Sequence, residues 1–406
     1  MDFELSPQVE NLRQRLLDFM AEHVYPSEEV YAEQIGTAGD PHAPPPVLLS
    51  LQSEARRRGL WNLFLPDKRF GPGLAILEYA PLAEILGRSP IAPEAANCSA
   101  PDTGNMEILA EFGTDEQQAE WLDPLLDARI RSCFAMTEPD VASSDATNIR
   151  SPIERYGDEY VISGRKWWIT GAADPRCRVI LFLGSSNPDA SAHRRHSVVL
   201  VPMDAPGVEV LRTLPVFGYD EGQGHCEIDF NQVRVPTSNL LGEEGQGFQI
   251  AQARLGPGRI HHCMRAIGMA ERALELMCKR AHARTAFGGP LSRQGVVQDW
   301  IAEARVRIEQ ARLLVLRAAW VMDTAGKDEA RVEISAIKVC AAELATWVVD
   351  RAIQVHGGAG LSGDFPLAAM YAHARSLHIL DGADEVHKMV IARAELNKWK
   401  TAAVER

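Results

Sequence analysis

The sequence predicts an α+β fold that is mostly helical, with helices in both terminal regions and strands between them. Apolar residues recur at helical spacing over residues 1–130 and again from about 243 onward, whereas the region between them has short β-type runs. The chain has 406 residues, 46% of them hydrophobic and 24% charged, which suits a soluble protein of two or three domains. We predict three domains, over residues 1–130, 131–238 and 239–406.

The N-terminal region is predicted to be a helical domain. Its amphipathic segments lie at 9–20, 47–64, 74–87 and 106–126. Runs rich in proline and glycine interrupt this pattern at 39–46 and 71–73, where we expect loops.

The central region is predicted to be a small antiparallel β-barrel or sandwich. Glycine, proline, asparagine and aspartate separate its β-type runs at strand-and-turn intervals, which is typical of such folds. These runs are Tyr160–Ile162, Lys166–Thr170, Val179–Leu183, Ser197–Val201, Val208–Leu211 and Cys226–Phe230.

The C-terminal region is predicted to be a four-helix bundle. Its helical segments lie at 246–283, 294–325, 328–356, 366–378 and 384–400. The three longest can pack side by side with an up-down connection.

Composition and motifs exclude several classes of protein. The net charge of −13 argues against nucleic acid as a main partner, although local arginines can still bind a phosphate. The seven cysteines form no CxxC pair and are expected to be reduced thiols, and no metal site is predicted. No signal peptide, transit peptide or membrane-spanning run appears, so we expect a cytoplasmic protein without membrane insertion. P-loop, GxSxG and HExxH motifs do not occur.

Asp381 is the candidate catalytic residue. It interrupts an apolar run within Ser376–His387 and is followed by Gly382. Apolar surroundings raise the pKa of a carboxylate toward the range in which it can take a proton from carbon. The same residues also fit a second interpretation, in which Asp381 is the N-cap of a helix over 384–399.

Two central segments carry groups suited to a planar ligand. Phe134–Asp145 passes from a strand end into a turn rich in hydroxyls and carboxylates, a pattern that ordinary turn chemistry also explains. Trp168 and Thr170 alternate along a strand and therefore share a face. An aromatic plate beside a hydroxyl suits a heteroaromatic ring, although it also suits a core tryptophan.

Two C-terminal segments are candidate phosphate sites. Arg284 follows a long helix and could bind a pyrophosphate or cap the helix carbonyls. The run Gln354–Gly363 contains a formal GxGxxG, but it follows a predicted helix and not a strand. We therefore reject a dinucleotide-binding fingerprint and expect a helix end with a closely approachable backbone.

Taken together, these segments resemble the acyl-CoA dehydrogenase family over essentially the whole chain. The motifs that carry the resemblance are Ala135–Pro139, Trp168–Thr170, Val233–Pro236, Asn239–Gly242, Glu244–Phe248, Arg284 with Phe287-Gly288, and Gln354 with Gly357-Gly358. The resemblance implies an oxidoreductase of fatty acid β-oxidation that uses FAD and an acyl-CoA substrate. It also implies a homodimer or homotetramer and an electron-transfer flavoprotein as electron acceptor.

The resemblance also assigns residues. It places Asp381 as the base that removes the α-proton during α,β-dehydrogenation to trans-2-enoyl-CoA. It implies that Ser144, Gly258, Arg259 and Gly382 contact the substrate. The residues that it implies for FAD are Phe134, Ala135, Met136, Thr137, Ser143, Trp168, Ile169, Thr170, Arg284, Phe287, Gln294, Gln354, His356, Gly357, Gly358, Ala383 and Glu385, with Gln354–Gly358 coming from a neighbouring subunit.

The chain departs from the family pattern at several positions. The base is usually Glu, and Asp is one methylene shorter, so substrate or backbone must lie about 1 Å closer. Some relatives keep their base near 255–259, where this chain has no carboxylate, and its turn over 140–145 is one residue longer than usual. Ala369 and His373 stand where charged residues are usual. These features resemble the subgroup fused to kinase-like domains in animals and free-standing in bacteria, linked to longer-chain or 4-hydroxy acyl-CoAs.

Three other functions stay open at this point. A 4-phosphorylated acyl-CoA could lose phosphate after the α,β-chemistry, which would make the protein an FAD-containing lyase or isomerase. An oxidase would pass electrons directly to oxygen. A flavin- and CoA-binding scaffold without turnover would leave Asp381 as a helix cap.

Overall fold

The structure, a computed structural model, describes residues 4–220 and 222–400. Its elements follow the predicted order of helices, strands and helices. The first helices are α1 (Pro7–Phe19), α2 (Tyr25–Thr37), α3 (Pro46–Arg57), α4 (Ile76–Leu86), α5 (Ala92–Ala95), α6 (Asp102–Phe112), α7 (Asp115–Gln117) and α8 (Asp123–Leu126). The predicted helix over 47–64 is too long, because α3 ends before Gly59, which has a left-handed φ of 63°.

The strands form two four-stranded sheets in the described chain. They are β1 (Arg131–Ala135), β2 (Ile153–Tyr156), β3 (Glu159–Thr170), β4 (Cys177–Ser185), β5 (His196–Pro202), β6 (Val208–Thr213), β7 (His225–Pro236) and β8 (Leu240–Leu241). The strand orders are β1-β4-β5-β8 and β2-β3-β7-β6.

The two sheets share one apolar core and make a sandwich. Phe182 of β4 and Phe230 of β7 meet edge to face across it, with ring centroids 4.8 Å apart. Every described pairing between neighbouring strands in these sheets is antiparallel except β1 with β4, which is parallel. The fully antiparallel prediction is wrong at this pair, because the long connection through β2 and β3 lets β4 return in the direction of β1.

The last helices begin and end within a few residues of their predicted bounds. They are α9 (Gly247–Ala283), α10 (Gly295–Ala325), α11 (Arg331–His356), α12 (Leu367–Ser376) and α13 (Asp384–Lys398). A two-stranded hairpin, β9 (Thr285–Ala286) and β10 (Gly289–Pro290), joins α9 to α10. Helix α11 packs against α10, α12 and α13.

Packing divides the described chain into two compact units. One unit contains residues 4–25, 74–93 and 259–400, in which α4 packs against α1 and α10. The other contains 26–73 and 94–258, in which α6 packs against β1 of the sandwich. The predicted three-domain division follows element type along the chain, whereas packing distributes the N-terminal helices over both units.

None of the helices in the described ranges combines the length and apolar character that a bilayer crossing requires.

Candidate active site

Asp381 lies in the loop between α12 and α13 and has a left-handed backbone. Its φ is +55°, and Gly382 follows with φ +104°. This conformation is uncommon for a residue with a side chain, although aspartate adopts it more readily than most. The Asp381 carbonyl accepts a hydrogen bond from Nε of Arg259 at 2.9 Å and lies 3.3 Å from Nε2 of His387. These contacts hold the backbone in the conformation that aims the side chain.

The alternative interpretation of Asp381 as a helix cap is wrong. The N-cap of α13 is Ala383, whose side chain makes no capping hydrogen bond. Asp384, in the first turn, instead binds two inward-facing groups, with His378 Nδ1 at 2.6 Å and Lys338 Nζ at 3.4 Å. Asp381 therefore does not occupy the N-cap position of α13.

The Asp381 carboxylate borders a small, largely apolar cavity of about 290 Å³, a volume that includes its open mouth. The cavity is lined by Arg259, His262, Cys263, Ala266, Lys338, Ala341, Ala342, Leu377, Leu380 and Asp381. Burial lowers the pKa of Arg259 and of Lys338, partly offset by the carboxylates of Asp381 and Asp384 respectively. The walls around Asp381 thus combine apolar side chains with three basic ones, those of Arg259, His262 and Lys338, so its surroundings are less uniformly apolar than the sequence predicted.

Trp168 is exposed, so the interpretation as a core tryptophan is wrong. The pairing of β3 with β7 shifts register between Lys166 and Ile169, and Trp168 within this bulge has φ +55°. The side chains of Trp168 and Thr170 both contact His225, with ring centroids 5.6 Å apart and Oγ1 2.9 Å from Nδ1. Trp168 is 39% exposed, while Ile169 points into the sandwich core. Any contact of Ile169 with a cofactor would therefore use its main chain.

The turn after β1 uses its hydroxyl groups partly for its own structure. Ser143 Oγ accepts a hydrogen bond from the Glu138 N–H at 2.9 Å, whereas Ser144 is exposed. The Thr137 carbonyl accepts from the Trp167 N–H at 3.0 Å, which ties this turn to β3. On β1 itself, the Phe134 ring lies under the guanidinium of Arg254, 4.6 Å from its centroid.

A buried ion pair behind this turn was not predicted. Lys166 is fully buried, and its Nζ donates to Glu138 Oε1 at 2.8 Å, to the Met136 carbonyl at 2.9 Å and to the Leu183 carbonyl at 2.8 Å. Burial lowers the pKa of Lys166 to about 8, with Glu138 opposing the shift. Little signal for it is present in the sequence, because Lys166 follows Ser163-Gly164-Arg165 and only the residues after it, Trp167 to Ile169, are apolar.

Arg284 is exposed at the end of α9 and has no described hydrogen-bond or ion-pair partner for its guanidinium. The capping alternative therefore has no support. The hairpin turn that follows places Phe287 and Gly288 at φ +50° and +82°, and the Phe287 side chain is fully exposed. Gln294 occupies the N-cap position of α10.

The glycine run after α11 is a helix end, which confirms that it is no dinucleotide fingerprint. Helix α11 ends at His356, and a 3₁₀ turn over Gly357–Leu361 follows. A Cβ added at Gly357 or Gly358 would meet nothing within 4 Å, so the backbone is open to approach. The His356 ring is buried, with Nδ1 2.7 Å from the Ala352 carbonyl, and burial lowers its pKa.

Within each unit, the structure brings some predicted residues together. Arg259, Asp381, Gly382 and Ala383 meet at the cavity or in its adjoining loop, with Glu385 exposed in the first turn of α13. Phe134–Thr137 and Trp168–Thr170 lie on neighbouring parts of the sandwich unit, and Gly258 has open space around it. The residues of the hairpin and of the α11 end do not line the cavity beside Asp381.

Among the residues described, no three His, Cys, Asp or Glu side chains are arranged to hold a metal ion. The neighbouring residues His261 and His262 point in different directions. His261 packs edge to face on Tyr79, with centroids 5.0 Å apart, whereas His262 faces Asp381.

Comparison with known proteins matches this architecture throughout the chain. Models of the N-terminal, middle and C-terminal domains of acyl-CoA dehydrogenase match residues 6–129, 133–233 and 245–396. The probable acyl-CoA dehydrogenase FadE2 of Mycobacterium tuberculosis is 58% identical, with 99% of this chain and 98% of that protein covered. Vertebrate proteins named acyl-CoA dehydrogenase family members 10 and 11 also match, and the chain spans 37% to 51% of their length.

Solved structures agree. A structure from Mycobacterium abscessus, assigned to the acyl-CoA dehydrogenases, superimposes with a TM-score of 0.95 at 51% identity, covering 98% of this chain and 100% of that chain. The structure of PigA with FAD and proline has a TM-score of 0.83 at 25% identity, with 97% and 99% covered.

Proposed function

The chain belongs to the acyl-CoA dehydrogenase family of oxidoreductases, and we propose that it converts an acyl-CoA thioester to a trans-2-enoyl-CoA with Asp381 as the base. The observation that carries this proposal is the carboxylate of Asp381, which borders an apolar cavity while two donors contact its backbone carbonyl. A base for a carbon acid needs this combination of low polarity and fixed position.

Asp381 would take the α-proton of the acyl chain onto a carboxylate oxygen. The thioester would enter the apolar cavity, where excluded water strengthens the hydrogen bonds that polarise its carbonyl. FAD, when bound, supplies the acceptor for the hydride that leaves the β-carbon. Gly382 would allow the acyl chain to approach the base closely, and Arg259 would hold the base in place from α9.

The residues present fit FAD. The exposed Trp168 ring and the Thr170 hydroxyl offer a stacking surface and a hydrogen-bonding group for the isoalloxazine, beside the main chain of Met136 and Thr137. The exposed guanidinium of Arg284 suits a pyrophosphate, because it has no carboxylate partner in the described chain.

We further propose that FAD binds across subunits of a homodimer or homotetramer. Phe287 and Gln294 would contact the cofactor together with Gln354, Gly357 and Gly358 of a second copy. The exposed backbone of the glycines and the fully exposed Phe287 ring support this arrangement, since both are surfaces that a monomer leaves uncovered. His356, Ile169 and Ala135 would contribute main-chain contacts because their side chains are buried.

The remaining assignments extend this proposal. Ser144 and Gly258 would contact the CoA arm, and Ser143, Ala383 and Glu385 the cofactor. An electron-transfer flavoprotein would accept the electrons, in the cytoplasm. A second candidate reaction is phosphate loss from a 4-phosphorylated acyl-CoA, which is favoured by two basic side chains of the cavity, Arg259 and Lys338.

The test is an anaerobic titration of the FAD-loaded protein with a panel of acyl-CoAs, including 4-hydroxy and 4-phosphorylated ones, followed by flavin absorbance. We expect bleaching with one class of chain, and none after Asp381→Asn although FAD stays bound. Asp299→Asn, at an exposed position of the same unit, is the matched control and should bleach normally. Phosphate release with an enoyl product and no bleaching would favour the second reaction. Undiminished bleaching in Asp381→Asn would contradict the assignment of the base.

A further inference from the structure

His262 faces the carboxylate of Asp381 from α9. It lies three residues beyond Arg259, about one helical turn, and both residues line the cavity. The distance from His262 Nε2 to Asp381 Oδ2 is 3.3 Å. The other ring nitrogen, Nδ1, is 3.3 Å from Nη2 of Arg265. The imidazole thus lies between a guanidinium and the proposed base.

This arrangement fixes the tautomer of His262. A guanidinium donates hydrogen bonds and cannot accept them, so Nδ1 of His262 must accept from Arg265. The ring proton of the neutral imidazole is then on Nε2, where it is donated to Oδ2 of Asp381. A second ring proton would have to displace the bond from Arg265, so Arg265 favours a neutral donor over a cation.

The Asp381 carbonyl is bound separately. Arg259 donates to it, and His387 Nε2 must also donate, because a carbonyl oxygen only accepts. Burial lowers the pKa of His387 to about 4, so this ring is neutral near pH 7, with Nδ1 3.3 Å from Ser335 Oγ. These contacts fix the backbone but leave the rotation of the carboxylate undetermined, since the terminal torsion of aspartate is broad.

We infer that His262, oriented by Arg265, is a positioning residue that fixes the rotation of the Asp381 carboxylate and keeps it ionised. The inference rests on the proposed function of Asp381. A donor on Oδ2 fixes the orientation in which the carboxylate meets the substrate α-proton, and it stabilises the charged form beside the apolar walls of the cavity. The orientation of the carboxylate matters more for aspartate than for glutamate, because the shorter side chain brings its oxygens less far toward the substrate.

Several other titratable groups face Asp381, and the test must separate their effects. Helix α9 contributes Arg259, His262 and Cys263, α11 contributes Lys338, and α13 contributes His387. Burial raises the pKa of Cys263, so its thiol stays protonated near pH 7, and burial lowers the pKa of Lys338 while Asp384 opposes that shift. Within this set, the ring nitrogen Nε2 of His262 lies 3.3 Å from Oδ2 of Asp381, and Arg259 and Lys338 interact electrostatically with the same carboxylate.

The experiment compares two substitutions of His262 in the FAD-loaded protein. His262→Gln keeps an N–H donor at about the reach of Nε2, whereas His262→Met fills similar space without a donor. His23→Met, at a partly exposed histidine of the same unit, is the matched control. Stopped-flow flavin reduction with a good acyl-CoA is recorded against pH, and thermal unfolding confirms that each variant is folded.

We expect His262→Met to move the acid limb of the rate profile up by about one pH unit and to lower the limiting rate about tenfold, since a hydrogen bond to a carboxylate is lost. The acyl-CoA concentration at half-saturation should change little. His262→Gln should restore most of the rate. A ¹³C NMR titration of the Asp381 carboxylate without substrate, assigned through Asp381→Asn, should show a midpoint shift in the same direction.

Arg265→Met gives an independent test, because it should shift the acid limb of the rate profile in the opposite direction. Without the guanidinium, Nδ1 can take a proton, and an imidazolium stabilises the carboxylate more than a neutral ring does. The acid limb should therefore move down. This variant also serves if His262→Met fails to fold.

Wild-type profiles in His262→Met, or equal losses in the Gln and Met variants, would overturn the inference. If the Asp381→Asn protein still reduces its flavin, the proposed function itself fails. An inactive Asp381→Asn protein beside an unaffected His262→Met protein rejects the role of His262 alone.

Discussion

Replacement of Lys166 by methionine should destabilise the sandwich unit strongly. The ammonium group is fully buried and serves three acceptors, the carbonyls of Met136 and Leu183 and the carboxylate of Glu138. Glu138 in turn accepts the N–H groups of Arg150 and Ser151 at 2.9 and 2.8 Å. One side chain therefore joins the residues after β1, the C-terminal part of β4 and, through Glu138, the turn that precedes β2.

The expected loss is about 3–5 kcal/mol, the usual result of removing one partner from a buried ion pair. Methionine replaces the apolar stem, so the loss comes from the three acceptors, each of which costs about 1–3 kcal/mol when buried and unpaired. These costs are not additive, because the three acceptors belong to one hydrogen-bond network. Glu138→Gln should cost less, about 1–3 kcal/mol, because Lys166 keeps two carbonyls and glutamine keeps an acceptor oxygen.

The assay is urea unfolding followed by tryptophan fluorescence, to which Trp167 and Trp168 beside Lys166 contribute a local signal. Lys68→Met removes an exposed lysine of the same unit and should change stability by less than about 0.5 kcal/mol. An unchanged midpoint for Lys166→Met, or a larger loss for Glu138→Gln than for Lys166→Met, would refute this account of the pair.

Three further predictions follow from single contacts. Asp381→Glu should slow flavin reduction, measured by stopped flow, about a hundredfold. Arg259 holds the backbone at this position, so the added methylene displaces the carboxylate by about 1 Å from its place in the wild-type protein. A wild-type rate would contradict this. The free energy of unfolding should fall as pH decreases from about 6.5 toward 4. Burial lowers the pKa of His387 to about 4 and of His261 to about 3, so the unfolded chain binds more protons than the folded chain in this range. Urea midpoints measured across the range check this, and a flat profile would count against it. Arg284→Leu should weaken FAD binding about tenfold or more in equilibrium titrations. It should leave the urea midpoint unchanged, since the guanidinium is exposed and makes no described ion pair. Unchanged affinity for FAD would remove Arg284 from the proposed cofactor site.

Strong helical periodicity of apolar residues made the long C-terminal helices predictable, and the absence of such periodicity explains why helix α2 was not predicted. Helix α9 was predicted from 246 to 283 and runs from Gly247 to Ala283. Helix α2 buries none of its residues, so it has no apolar face from which a pattern could arise. Strand β2 was missed for a related reason, because Ile153 is its one buried residue.

The candidate site was predictable where its chemistry is local in sequence. Asp381 was singled out because an isolated carboxylate interrupts an apolar run, whereas the basic side chains that share its cavity come from other helices and left no signal in that run. The left-handed backbone of Trp168 was not predictable, because a bulge depends on the register of β3 with β7. Pairings such as Lys166 with Glu138 and His262 with Asp381 join residues 28 and 119 positions apart, and no local pattern reports them.

The parallel pairing of β1 with β4 has a consequence for how the sandwich forms. Strand β1 ends at Ala135, its partner begins at Cys177, and the intervening β2 and β3 belong to the opposite sheet. The chain then alternates again, with β5 in one sheet, β6 and β7 in the other, and β8 closing the first. Neither sheet can therefore be completed from a continuous stretch of chain, and loop-closure entropy must be paid before distant strands meet. During synthesis β1 cannot pair until β4 has been made, so we expect the two sheets to form together and not one after the other.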